Sequence, residues 1–313
     1  MSVVHTEGLT KSYGGRPPAL RDVDLEIAEG VTGLLGPNGA GKSTWMQCVL
    51  GLLPDYEGRA TVLGLDARKQ RQEVRRKVGF MPEADAYLPQ LTGLRAVRLL
   101  GQLTGMSYRE ALRRAHEVLH HVGLGEAIFR TVREYSTGMR QRFKLAQALV
   151  HDPVLLFLDE PLAGLDPKGR EELLDLIRDL ADNHGKHILW SSHLLPDVQR
   201  VADSVAVMQN GTSLGVFALD DLAPLEGMFI VEAEGDQEAY ATAMAEAGYS
   251  VEQRKADGDK LTSVAWTVTL PVADGPQRLF EIARGAGATL RSVRPVVEDL
   301  ESLFTRVLDT GGA

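Results

Sequence analysis

The sequence predicts an α/β layered domain over residues 1–222 followed by a small α+β domain over residues 223–313. Three observations carry this. Strand-like runs alternate with helix-like stretches as far as about residue 222, the pattern of a layered α/β domain. A continuous apolar run, Val154-Leu155-Leu156-Phe157-Leu158, ends in Asp159-Glu160, as expected of a parallel strand buried on both faces with acidic side chains at its carboxyl end. Beyond Pro224 the texture changes to the order β-α-β-β-α-β, the split ferredoxin-like arrangement.

Taken in order, Val3 to Gly8 reads as a short strand. Leu9-Thr10-Lys11-Ser12-Tyr13 then delivers an aromatic ring before the Gly14-Gly15 break. Alternation from Leu20 to Ile27 gives a half-buried strand. Val31 to Leu35 is an apolar strand, and Ser43 to Leu50 has apolar residues at helical spacing. The basic run Arg68 to Lys77 reads as a solvated helical face, and Val78-Gly79-Phe80-Met81 as a strand ending at Pro82-Glu83. Leu94 to Gly123 is helical with a break near Thr104-Gly105. Tyr135-Ser136-Thr137-Gly138-Met139 opens a helix running to Val150, with Met139, Phe143, Ala146 and Leu149 near one face. Ile188 to Ser192 is another buried strand, ending at His193. In the second domain the expected order is strand Met228–Ala233, helix Gln237–Ala247, strand Tyr249–Gln253, strand Val264–Leu270, helix Pro276–Gly285 and strand Thr289–Val293. A closing helix is expected over Glu298–Leu308.

The most informative stretch is Gly36-Pro37-Asn38-Gly39-Ala40-Gly41-Lys42-Ser43-Thr44, which fits G-x-x-x-x-G-K-[ST] in full. Glycines let the backbone turn its N–H groups inward around an anion, and the helix that follows directs its dipole at the same point. Lys42 adds a point charge for β- and γ-phosphates, and the Ser43 hydroxyl can ligate Mg2+. A mere glycine turn ending a strand would not need strand, loop and helix in this sequence. Taken singly, Asp159-Glu160 could be a charged turn, His193 a core histidine, Ala163-Gly164-Leu165-Asp166-Pro167 an ordinary turn, and Tyr13 a core ring.

Composition narrows the function classes. The net charge is −9 with no large basic cluster, which argues against a nucleic-acid partner. The single cysteine, Cys48, falls on the helix after the glycine loop and is expected to be a small core residue. Met1 to Thr10 lacks the unbroken apolar segment of a secretory signal, and no stretch approaches the roughly 18 apolar residues of a membrane span. A membrane connection is therefore expected through a partner.

With the glycine loop, the Ser-x-Gly station, the apolar run closed by Asp-Glu and the terminal His in this order, residues 1 to about 222 resemble the nucleotide-binding subunit of an ABC transporter. The resemblance implies a P-loop NTPase cassette: a RecA-like α/β core with an antiparallel β subdomain and a helical subdomain. It further implies ATP and Mg2+ bound between two cassettes arranged head to tail, as a homodimer. On this likeness Tyr13 would stack on adenine and Gly36 to Thr44 would wrap the phosphates. Ser43 and Asp159 would hold Mg2+, Glu160 would polarise the attacking water, and His193 would hold that water and the γ-phosphate in line. Ser136, Gly138 and Asp166 would serve the site of the opposite subunit. Two departures stand out: Thr137 and Met139 replace the family's usual glycine and glutamine in the signature, and Glu83 replaces a metal-sensing glutamine. Glu83 keeps an oxygen for the metal and adds a charge. Glu83 and the ending Glu298-Asp299-Leu300-Glu301-Ser302-Leu303-Phe304 look like the exporter branch for drugs, lipids or polysaccharides. The expected partners are integral-membrane permease subunits on separate chains. The expected location is cytoplasmic, on the inner face of the cell membrane through those subunits, and residues 223–313 would serve dimerisation or regulation. The alternative is a soluble ABC ATPase acting on a ribosome or chromosome, against which stands the spacing of only about a hundred residues between Gly36 and Ser136.

Overall fold

A computed structural model describes residues 2–15, 17–219, 224–254, 264–271 and 274–297. The chain forms two compact units that divide between Asp220 and Asp221. The expected closing helix over Glu298–Leu308 lies outside the described residues.

In the first unit the chain runs through strands β1 (Ser2–Lys11), β2 (Leu20–Ala28) and β3 (Val31–Leu35), then helix α1 (Lys42–Val49). Next come β4 (Glu57–Val62), β5 (Leu65–Asp66), α2 (Arg71–Lys77) and β6 (Val78–Met81). Three helices follow, α3 (Gly93–Leu103), α4 (Tyr108–His121) and α5 (Thr137–Leu149). The unit closes with β7 (Leu155–Leu158), α6 (Pro167–Asp182), β8 (His187–Ser192), α7 (Leu195–Val201), β9 (Ser204–Gln209) and β10 (Thr212–Ala218).

The main sheet has the order β10-β9-β3-β8-β7-β6, parallel throughout except for β10. All residues of β3 and β7 are buried, as the apolar run of β7 demands; the one hydroxyl in β3, that of Thr32, is satisfied by Ser204 Oγ at 2.9 Å. Only Val154, at 45% exposure, falls outside the buried run. A second sheet, β2-β1-β4-β5, is antiparallel, and β2 alternates buried and exposed residues along most of its length. Trp45, Met46, Cys48 and Val49 of α1 pack in one core with Val4, Leu25 and Ile27 of the second sheet and Leu34, Phe157 and Ala206 of the first. The helix is thus gripped from both sides. Its fully buried Trp45 donates from Nε1 to Thr6 Oγ1 at 3.3 Å, and burial pushes the Cys48 thiol up to about 11.

The α3–α4 break lies where expected, with Gly105 at φ 101° and Ser107 capping α4 by accepting the Glu110 N–H. The basic face of α2 is exposed apart from Val74. In contrast, β4 and the β9–β10 hairpin are unassigned in the sequence.

The second unit contains β11 (Pro224–Gly235), α8 (Gln237–Glu246), β12 (Ser250–Arg254), β13 (Val264–Thr269), α9 (Gln277–Gly285) and β14 (Ala288–Val297). Its sheet order, β12-β13-β11-β14, is antiparallel throughout, as a ferredoxin-like arrangement requires. Tyr240 and Trp266 meet edge to face at 6.0 Å in its core, beside Val231, Val268 and Leu279.

Candidate functional site

The order β3-β8-β7-β6 sets four strand ends side by side, and each delivers one part of the site. Leu35 of β3 is level with Ser192 of β8, and Leu158 of β7 with Met81 of β6. From these ends emerge the loop 36–41, His193, Asp159-Glu160 and Glu83.

The glycine loop folds as the sequence dictates. Gly41 has φ 103°, and a Cβ there would lie 2.8 Å from Leu20 Cδ2. As N-cap of α1, Gly41 offers no side-chain acceptor, and the first turn of the helix contains no acidic residue. The leading amides and the positive end of the helix are therefore left for an anion. A cavity of about 370 Å³ opens there, walled by Pro37 to Thr44 together with Ala19, Glu83, Glu160, Ala163 and His193.

Within this cavity the charges are linked. Lys42 Nζ folds back to donate to Gly36 O at 2.6 Å and lies 3.6 Å from Glu160 Oε1. His193 Nδ1 donates to Glu160 Oε2 at 3.1 Å. Glu160 Oε1 is buried without a hydrogen-bond partner, and the Glu160 backbone sits at φ 45°, in the left-handed region. Asp159 does not line the cavity: it is 3% exposed, and its Oδ1 accepts from Ser191 Oγ at 2.7 Å. The same Ser191 oxygen accepts the Glu160 N–H at 2.8 Å, so one hydroxyl fixes both acidic residues.

Sequence reasoning missed Ser191, for a serine at the end of an apolar strand carries no distinguishing pattern. It also missed Lys144. This lysine on α5 is 3% exposed and donates from Nζ to Glu83 O at 2.6 Å. Burial pulls its ammonium below the ordinary lysine range, against the pull of Asp85, Glu83 and Asp159. The only sequence signal is a lysine among apolar helix positions.

The remaining candidates lie elsewhere. Ser136, Gly138 and Asp166 line a separate cavity of about 520 Å³ that shares no wall residue with the first. There Ser136 caps α5 by accepting the Met139 N–H at 3.3 Å, and Asp166 caps α6 by accepting the Gly169 N–H at 3.1 Å. The two cavities touch through the chain itself, since Ala163 lines one and Gly164 the other, and Gln141 Nε2 pins Ala163 O at 2.9 Å. Tyr13 is 42% exposed, with Lys11 Nζ 5.3 Å from its ring centre, and is not in the wall of the first cavity. A core position for that ring is set aside.

Comparison with known proteins agrees with this arrangement. Residues 20–163 match the family described as ABC transporter. The chain is 35% identical over 298 residues to the daunorubicin resistance ATP-binding protein DrrA2 of Streptomyces coeruleorubidus, covering 95% of this chain and 90% of that protein. It is 29% identical over 321 residues to the bacitracin transport ATP-binding protein BcrA of Enterococcus faecalis, covering 99% and 97%. Among solved structures, the dimeric post-hydrolysis state of the ATP-binding cassette MJ0796 bound to ADP and Pi is similar with a TM-score of 0.64 and 27% identity, covering 69% of this chain and 98% of that one. The chain belongs to the ABC transporter family, as one of its ATP-binding, ATP-hydrolysing subunits.

Proposed function

We propose that the chain is the motor of an exporter: it binds Mg-ATP between two copies arranged head to tail and, by hydrolysing it, drives separate permease subunits at the cytoplasmic face of the membrane. The observation that carries this reading is the meeting of Lys42, Glu160 and His193 in one cavity with the glycine-loop amides.

The loop from Gly36 to Gly41 and the first turn of α1 take the phosphates, to which Lys42 turns from its place on Gly36 O. Glu160, whose buried Oε1 accepts no hydrogen bond and lies 3.6 Å from Lys42 Nζ, accepts the proton of the attacking water. His193 orients Glu160 through Nδ1 and keeps Nε2 for the water and the γ-phosphate. The donors offered by Ser43, Glu83 and the buried Asp159 are all oxygens, the set that suits Mg2+. When bound, that ion neutralises charge on the phosphate oxygens. Tyr13, exposed at the N-terminal sheet, stacks on the adenine.

Ser136, Gly138 and Asp166 occupy a separate cavity, so they serve a nucleotide held by a second chain. The first turn of α5 has no acidic residue, which suits it to face a γ-phosphate. The dimeric state of the similar MJ0796 cassette supports this arrangement. The names of the drug-resistance and antibiotic-transport relatives support export.

The test is Glu160→Gln. ATP turnover is expected to fall on the order of 10²- to 10⁴-fold, while ATP binding persists and ATP now holds the chain as a dimer in size-exclusion chromatography. Unchanged turnover would overturn the assignment of the base.

A further inference from the structure

Away from the nucleotide cavity, the last turn of α4 and the last turn of α6 meet in a second concentration of ligating side chains. His121 ends α4, Asp179 lies in the last turn of α6, and His184 follows that helix. One ligating atom from each lies within 4.8 Å of the others. Asp179 Oδ2 is 3.7 Å from His121 Nε2 and 3.5 Å from His184 Nε2. Donors around a tetrahedral Zn2+ are about 3.3 Å apart, given metal–ligand lengths of about 2.0–2.1 Å. The two spacings to Asp179 are within a few tenths of an ångström of that, and the two imidazoles meet edge to face with ring centres 4.7 Å apart.

Three further observations point to a ligand. His121 Nε2 is buried and has no hydrogen-bond partner, an orphan that a metal bond would satisfy. The other oxygen of Asp179 is engaged, Oδ1 accepting from Asn183 Nδ2 at 2.7 Å, which turns Oδ2 toward the histidines. The neighbouring cations are themselves neutralised: Arg114 pairs with Glu117 at 3.4 Å and Asp152 at 3.1 Å, and Lys186 pairs with Asp152 at 2.8 Å.

We propose that His121, Asp179 and His184 form a site for a late first-row divalent cation of the Zn2+ class, distinct from the nucleotide site, whose occupancy fastens the end of α4 to the end of α6. Two imidazoles and one carboxylate favour such an ion over Mg2+ or Ca2+, and leave a fourth position for water. Half-exposed His184 provides the entry.

The probe is Co2+ added to the full-length chain, free of any histidine tag and without nucleotide. One equivalent is expected to give the visible absorption of a tetrahedral site, to be displaced by Zn2+, and to raise the thermal midpoint. His184→Gln and His121→Gln are each expected to weaken binding roughly tenfold or more and to abolish the metal-dependent rise in midpoint. Glu160→Gln, which alters the nucleotide cavity, is expected to retain both signals. Absorption that survives in both histidine variants, is lost in Glu160→Gln, or never develops would overturn the proposal.

Discussion

Glu160 is held in a backbone conformation that L residues avoid, at φ 45°, two residues past the fully buried strand β7. For a residue with a Cβ this costs about 1–2 kcal/mol. The carboxylate itself is compensated, with Lys42 3.6 Å from Oε1 and His193 donating to Oε2, so the cost lies in the backbone. Glu160→Gly should therefore raise the thermal midpoint of the nucleotide-free chain by about 2 °C while suppressing turnover. A lower midpoint would mean that the contacts with Lys42 and His193 outweigh the strain. At this scale the residues singled out by type and spacing, Lys42, Ser43, Glu160 and His193, come together in the wall of one cavity, with Asp159 buried beside it. Ser191 was invisible because its role comes from register: β8 lies beside β7 and brings its hydroxyl to two acidic residues remote in sequence. Lys144 was invisible for a similar reason, since its partner is a backbone carbonyl 61 residues away.

Among elements, the strongly patterned ones were readable: β7 as an unbroken apolar run and β3 as a mostly apolar one, β2 and β13 as alternating ones, α3 and α4 from period and break. β4 was not, because only Ala60 and Val62 of its six residues are buried and its place is set by pairing with β1. The short run of β9 is ambiguous between helix and strand until its neighbours are known. A pH effect belongs to the junction between α5 and β7, where His151 Nε2 donates to Val78 O at 2.9 Å. Burial lowers the pKa of His151 from its ordinary 6.5, although that hydrogen bond opposes the shift. Its neutral form therefore contributes full stability above about pH 6.5. As pH falls from there toward the lowered folded value, the unfolded chain takes up the proton first and stability is lost. His151→Gln, which keeps an N–H donor, should lose less stability than the wild type between about pH 7.5 and about pH 5.5. Urea midpoints at the two pH values check this, and equal losses would refute it.

For the whole molecule, the separation of the two cavities has a direct test. If each nucleotide needs the loop of one chain and Ser136 of another, Lys42→Ala and Ser136→Arg chains should each be inactive alone. Mixed, they should regain turnover through the one composite site in which both parts are intact. Failure of the mixture to exceed its components would argue against the head-to-tail pairing. The shift in texture near Pro224 falls close to the division between the two compact units, whereas the separation of Ser136, Gly138 and Asp166 from the glycine loop is a matter of three-dimensional placement, which the sequence offers only through its family likeness. A last consequence follows from Lys42, whose ammonium donates to the carbonyl of Gly36 and lies near Glu160. An arriving triphosphate does not meet a bare cation; it must evict a resident intramolecular guest. The measured grip on ATP is thus a difference between two rival attachments, and anything that loosens the resident one will tighten the hold on the newcomer.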